Sequence, residues 1–157
     1  MSVSAAGLLA ALGFVSGCSS SRQLPSEVTA ANLRYHATTS TASTHPLVVR
    51  AVLTLTNIGV LDTTVEMSAS CPFWLEAFTT ADRTGAPVWT QAGLSCPAVA
   101  QLVSLNSGDT RSFEVTAKAS DILGDSLPSG RYFFAAVVTR EAGEAIKLAA
   151  GQMVLSK

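Results

Sequence analysis

The chain has 157 residues, enough for one domain of ordinary size and too few for two. Lys and Arg number 10 against 11 Asp and Glu, a net charge of −1, which leaves no cationic excess to hold a nucleic-acid backbone. Charged residues are 13% and hydrophobic ones 48%, which excludes a disordered chain, and no apolar run reaches the roughly 18 residues of a membrane-spanning helix.

Residues 1–17 read MSVSAAGLLAALGFVSG, where an apolar stretch over about Ala5 to Val15 runs into Val15-Ser16-Gly17-Cys18. A short apolar stretch followed by small residues suits the hydrophobic region and cleavage site of a secretory signal. The tetrad resembles a bacterial lipobox. That resemblance implies lipid transfer to the Cys18 thiol and cleavage just before it, with Ser19-Ser20-Ser21 opening a lipidated tether over residues 18–30. The alternative is a buried helix in which Cys18 is a small hydrophobe. Each buried methylene contributes about 0.8 kcal/mol, so two or three acyl chains would hold the protein at a membrane permanently. The expected location is the cell envelope, at the outer membrane or in the periplasm if the cell has two membranes.

From about Leu33 the chain alternates with period two, and residues 31–157 read as one domain. Thr38 to Thr44 is a polar, low-complexity segment. In Leu47 to Asn57, Val49, Ala51, Leu53 and Leu55 fall on one side and Arg50, Thr54 and Thr56 on the other, a half-buried strand. Shorter strands are expected over Thr63 to Ala69 and Phe73 to Thr80, with Pro72 at an edge or strand start because it donates no ladder hydrogen bond. Asp82-Arg83-Thr84-Gly85-Ala86-Pro87 is a turn cluster before Val88-Trp89, and Pro97 opens a run over about Ala98 to Leu105. Ser112 to Lys118 alternates again, then Ser120 to Gly124 reads as a helical turn capped by Ser120 or Asp121. Arg131 to Arg140 is apolar on both rows and is therefore a central strand; Glu141 to Glu144 joins it to a last run over about Ala145 to Leu155. Leu127-Pro128-Ser129-Gly130-Arg131-Tyr132 has the shape of a tyrosine corner, though Tyr132 could equally be a plain core aromatic.

Seven to nine short strands joined by turns indicate an all-β fold, an immunoglobulin-like two-sheet antiparallel sandwich, with a small closed barrel as the alternative. With Cys18 taken as the anchor, Cys71 and Cys96 remain, 25 positions apart and each followed by Pro. That spacing excludes CxxC redox and zinc-ribbon sites, and in an exported chain the pair reads as a disulfide, about 3.5 kcal/mol by the chain-entropy relation. Two free buried thiols are the other reading.

Catalytic constellations are missing from the motifs: HExxH, GxSxG, GxGxxG and the P-loop do not occur. The two histidines, His36 and His45, have odd spacing and would face opposite sides of one strand. No enzyme, metal or cofactor is therefore expected. Trp74 and Trp89 suit either a core or a binding surface. The turn Asp82, Arg83, Thr84 to Pro87, next to Trp89, suits either an ordinary hairpin tip or a preorganised partner-binding loop with Arg83 or Thr84 outward.

The order of these motifs is similar to the BsuPI family of proteinase-inhibitor domains, which are immunoglobulin-related sandwiches. Leu53-Thr54-Leu55-Thr56-Asn57, Asp82-Arg83-Thr84-Gly85 before Val88-Trp89, the Gly108 turn, and Leu127 to Tyr132 carry the match over about Leu33 to Leu155. The resemblance implies the sandwich fold and a protein partner, either a proteinase or an envelope component. The expected function is thus a non-enzymatic, envelope-anchored interaction module that could inhibit a proteinase. A structural or assembly lipoprotein of an envelope complex is the alternative.

Overall fold

The computed structural model describes residues 23–67, 72–91, 101–140 and 145–157. Ten strands and one short helix follow one another there: β1 (Glu27–Ala30), β2 (Leu33–Thr44), β3 (Leu47–Asn57), β4 (Thr63–Met67), β5 (Trp74–Phe78), β6 (Trp89–Thr90), β7 (Gln101–Leu105), β8 (Thr110–Lys118), α1 (Ala119–Leu123), β9 (Gly130–Val138) and β10 (Ile146–Leu155). They form two four-stranded antiparallel sheets, in the orders β1-β2-β3-β8 and β10-β9-β5-β6, and a two-stranded ribbon β4-β7. The fold is the expected all-β sandwich. It has one strand more than the upper expectation, and the small ribbon is additional to the two main sheets.

Alternation explains the layers. Val49, Ala51, Leu53 and Leu55 of β3 are fully buried, and their register partners on β8 carry Ala117, Val115 and Phe113 to the same side. Tyr132, Phe134, Ala136 and Val138 of β9 and Leu148 and Ala150 of β10 join them in one shared core. β9 lies between β10 and β5, and Ala135 and Val137 on its other row are also buried, as expected of a central strand. At about 25 cal/mol per Å² of apolar surface, this core is the main stabilising force.

Tyr132 forms the tyrosine corner: its hydroxyl donates to the carbonyl of Pro128 at 2.7 Å. The bond ties the start of β9 to the segment after α1, and the ring is buried.

Three expectations are corrected. Residues 27–30, expected in the tether, are strand β1, pairing Glu27 with His36 through Ala30 with Leu33 and packing Val28 and Ala30 on the core. Four residues are too few for their alternation to stand out. Thr38 to Thr44, set apart in the sequence as a polar, low-complexity segment, is the second half of β2; it is held by pairing from Thr38↔Val52 to Thr44↔Leu47, with a register shift between Thr41 and Ser43. β-Branched Thr suits the pleat, but with polar side chains on both faces no alternation marks the strand. Helix α1 has Lys118 at its N-cap, with no side-chain cap bond; Ser120 and Asp121 lie inside the first turn and bond each other at 3.2 Å. Burial of Ala119, Ile122 and Leu123 places the helix.

Candidate functional site

Two loops stand out, each shaped by one buried polar side chain. The first follows β5. Thr84 donates its backbone N–H (3.4 Å) and hydroxyl (2.9 Å) to the Asp82 carboxylate, a local turn typical of Asp. Hydrogen bonds from Thr80 and Thr84 hold the Asp82 carboxyl below the usual aspartate range. Between them Arg83 adopts a positive φ of 54°, and its N–H donates to Thr80 O at 3.2 Å.

Arg83 is 9% exposed and turns into the sandwich, which corrects its expected outward role. Its Nε donates to Phe134 O (2.7 Å), Nη1 to Ala81 O (2.7 Å) and Nη2 to Gly151 O (2.8 Å). The guanidinium also lies 5.8 Å from the centre of the Phe133 ring. The reason lies in β10, where the register shifts between Ala149 and Gly151. The irregularity turns carbonyls out of the regular ladder, and buried carbonyls need donors. Arg83 serves Phe134 and Gly151, while the Thr39 hydroxyl donates to Ala150 O at 2.9 Å. Burial pushes the Arg83 pKa down from its ordinary value, but a guanidinium remains charged there. Asp82 is half-buried, Thr84 exposed and Pro87 half-buried. Trp89 is partly buried against the core, where it walls an open cavity of about 300 Å³ with Val48, Ala117, Lys118 and Asp121. Trp74 is half-buried on β5.

The second loop joins β3 to β4. Asn57 closes the Leu-Thr-Leu-Thr-Asn motif and is fully buried. Its Nδ2 donates to Leu61 O (2.8 Å) and Leu105 O (3.0 Å), and its Oδ1 accepts from Gly59 N–H (2.9 Å). Its backbone N–H donates to Asp109 O at 2.9 Å, and its carbonyl accepts from Gly108 N–H at 3.0 Å. Ile58 N–H reaches Asn32 O at 2.9 Å, and the Ser107 hydroxyl reaches Gly59 O at 2.7 Å. A Cβ on Gly59 would stand 3.0 Å from Asn32 Cβ, so only glycine fits without displacement.

This tight loop presents apolar side chains to solvent: Ile58 is 44% exposed, Val60 90% and Leu61 76%. Alternation singles out none of the three, because the period-two pattern of β3 ends at Asn57. The available signal was two aliphatic residues directly after a turn, where polar residues are the rule.

The remaining candidates do not converge. His36 lies on β2 and His45 in the turn after it, about 30 Å of extended strand apart. Among the described residues no group of three His, Cys, Asp or Glu side chains could hold a metal, and no helix is long and apolar enough to cross a membrane. Cys18, Cys71 and Cys96, and with them the lipidation and disulfide readings, lie outside the described residues.

No protein-family model matches the chain, and no curated protein matches it. Solved structures similar to it include a β-glucosidase involved in saponin metabolism from intestinal bacteria, at 14% identity and a TM-score of 0.41, covering 79% of this chain and 16% of that one. A Kluyveromyces marxianus β-glucosidase in complex with glucose matches at 10% identity and 0.43, covering 78% and 14%. A Listeria innocua β-glucosidase in complex with gluconolactone matches at 14% and 0.34, covering 77% and 16%. The chain thus spans a small fraction of each enzyme's length, and likeness this weak supports no inference about activity.

Proposed function

We propose that this protein is an exported, lipid-anchored interaction module that binds a protein partner through its sandwich loops. In this reading Cys18 carries the lipid, and Cys71 and Cys96 form a disulfide across the intervening loop. The observation that carries the reading is the construction of the two loops, whose backbones are set from beneath by Asn57 and Arg83. A surface ordered before it meets a partner loses little conformational entropy on binding. The resemblance to BsuPI-type domains supports the same reading, because Asn57, Arg83 and Tyr132, all within its motifs, each fix a loop.

The resemblance adds proteinase inhibition as the activity to test. With Arg83 turned inward, a contact through its turn would use Asp82 and Thr84. An incubation series with subtilisin-like and trypsin-like enzymes tests the inhibitory part, and unchanged turnover with the domain at micromolar concentration would dismiss it. Changing Cys18 to Ser should leave the chain uncleaved or soluble; an unchanged membrane fraction would contradict the anchor.

The exposed apolar side chains Leu102 on β7 and Val154 on β10 favour a second reading, an assembly lipoprotein joined to envelope neighbours by several surfaces. Cross-linking in native membranes separates the two: stable stoichiometric neighbours support assembly, transient proteinase capture supports inhibition.

A further inference from the structure

We infer that the contact surface is the tip Ile58-Gly59-Val60-Leu61, and that its occupant is a protein with an apolar socket rimmed by cationic groups. This rests on the interaction-module reading above. Val60 and Leu61 contribute little to the core, being 90% and 76% exposed, yet the loop cannot fold them inward. Its backbone is fixed at four points by Asn57, Asn32 and Ser107. A rigid loop that forces aliphatic side chains into water is built like the anchor of an interface, where a few buried apolar residues carry most of the binding energy.

Charge chooses between a protein and a bilayer. The loop ends in Asp62, whose carboxylate accepts from Ser107 N–H at 3.3 Å. The adjoining turn carries Asp109, whose carboxylate accepts from the backbone and side-chain nitrogens of Asn106 at 3.0 and 2.7 Å. Each carboxylate retains acceptor capacity beyond these bonds. Two basic residues lie at that end of the sheet: Arg34, which pairs in register with Thr56 and is ion-paired with Glu27 at 3.7 Å, and Arg111, which pairs with Leu55, two residues in from the tip's base. An apolar tip flanked by carboxylates is poorly matched to phosphate headgroups, which basic residues recognise. It complements a socket with an apolar floor and a Lys- or Arg-bearing rim.

A photo-reactive benzoylphenylalanine placed at Val60, and separately at Thr84, in the full chain tests this in intact host cells. The inference expects one discrete protein adduct from position 60, lost when Leu61→Asp is added while the variant's melting temperature stays unchanged. The partner identified from that adduct, once purified, should bind the Leu61→Asp variant about tenfold or more weakly. Asp62→Asn should weaken binding less and flatten its salt dependence. Phospholipid adducts at position 60 would overturn the inference in favour of a bilayer, and so would an adduct indifferent to Leu61→Asp. A protein adduct from position 84 alone would overturn the tip but leave the interaction module standing. No protein adduct from either position would overturn both.

Discussion

The Arg83 turn and the Asn57 loop use the same device to opposite effect. In each, one buried polar side chain satisfies backbone groups that the strands leave over. Arg83 does so from within its own turn, so a residue that a partner-binding loop would have turned outward is consumed in holding β9 and β10 together. Asn57 does so from the end of a strand, and the loop it supports carries its aliphatic side chains outward. Turn composition and charge therefore predict poorly which side chains a loop presents to solvent; what matters is where the backbone's unpaired groups find their donors and acceptors.

The largest effect separating the two loops is expected from Arg83→Ala, which strips donors from three carbonyls. We expect a loss of about 3 kcal/mol in denaturant unfolding, with Arg83→Lys recovering little because an ammonium cannot reproduce the guanidinium fork. A change below about 0.5 kcal/mol would show that the clamp is not formed. Asn57→Ala comes next, at about 2 kcal/mol, because two carbonyls and one N–H lose their partner. Hydrogen exchange at residues 58–61 should accelerate in that variant while residues 80–87 keep their wild-type rates. Equal acceleration of both loops would mean that they are not independently set.

The strands that set these loops were legible to different degrees. β3 and β9 could be read because each buries a full row of side chains, so their period survives in the residue types. β1 and the second half of β2 could not, since their pairing is satisfied by backbone and the side chains of Thr38, Ser40 and Thr44 meet water. The inward turn of Arg83 depends on the β10 irregularity almost 70 residues later, a contact that no local pattern records. The tyrosine corner could be offered as one of two readings of Tyr132 because its donor and acceptor are four residues apart. The outward tip was written as Val60-Leu61 beside a glycine, but exposure is decided by Asn57 beneath it.

Two smaller effects sharpen the contrast. Asp82 has a depressed native pKa, so its contribution to ordering the turn is complete above the ordinary aspartate value of about 3.9 and is lost as pH falls through the native one. Protection of residues 80–87, measured relative to the intrinsic amide exchange rate at each pH, should fall modestly over that acidic window, and the fall should vanish in Asp82→Asn. Protection unchanged with pH in the native chain would contradict the carboxylate's role. The smallest effect is expected from Val60→Asp, below about 0.5 kcal/mol, because the side chain it replaces is already in water. A large loss of stability would place Val60 in the core.

Carbene footprinting of the folded protein, read residue by residue by mass spectrometry, reports on both loops at once. Val60 and Leu61 should label at close to their unfolded-state levels, while Arg83 stays protected until denaturant unfolds the sandwich. Heavy labelling of Arg83 together with protection of Val60 and Leu61 would contradict the account.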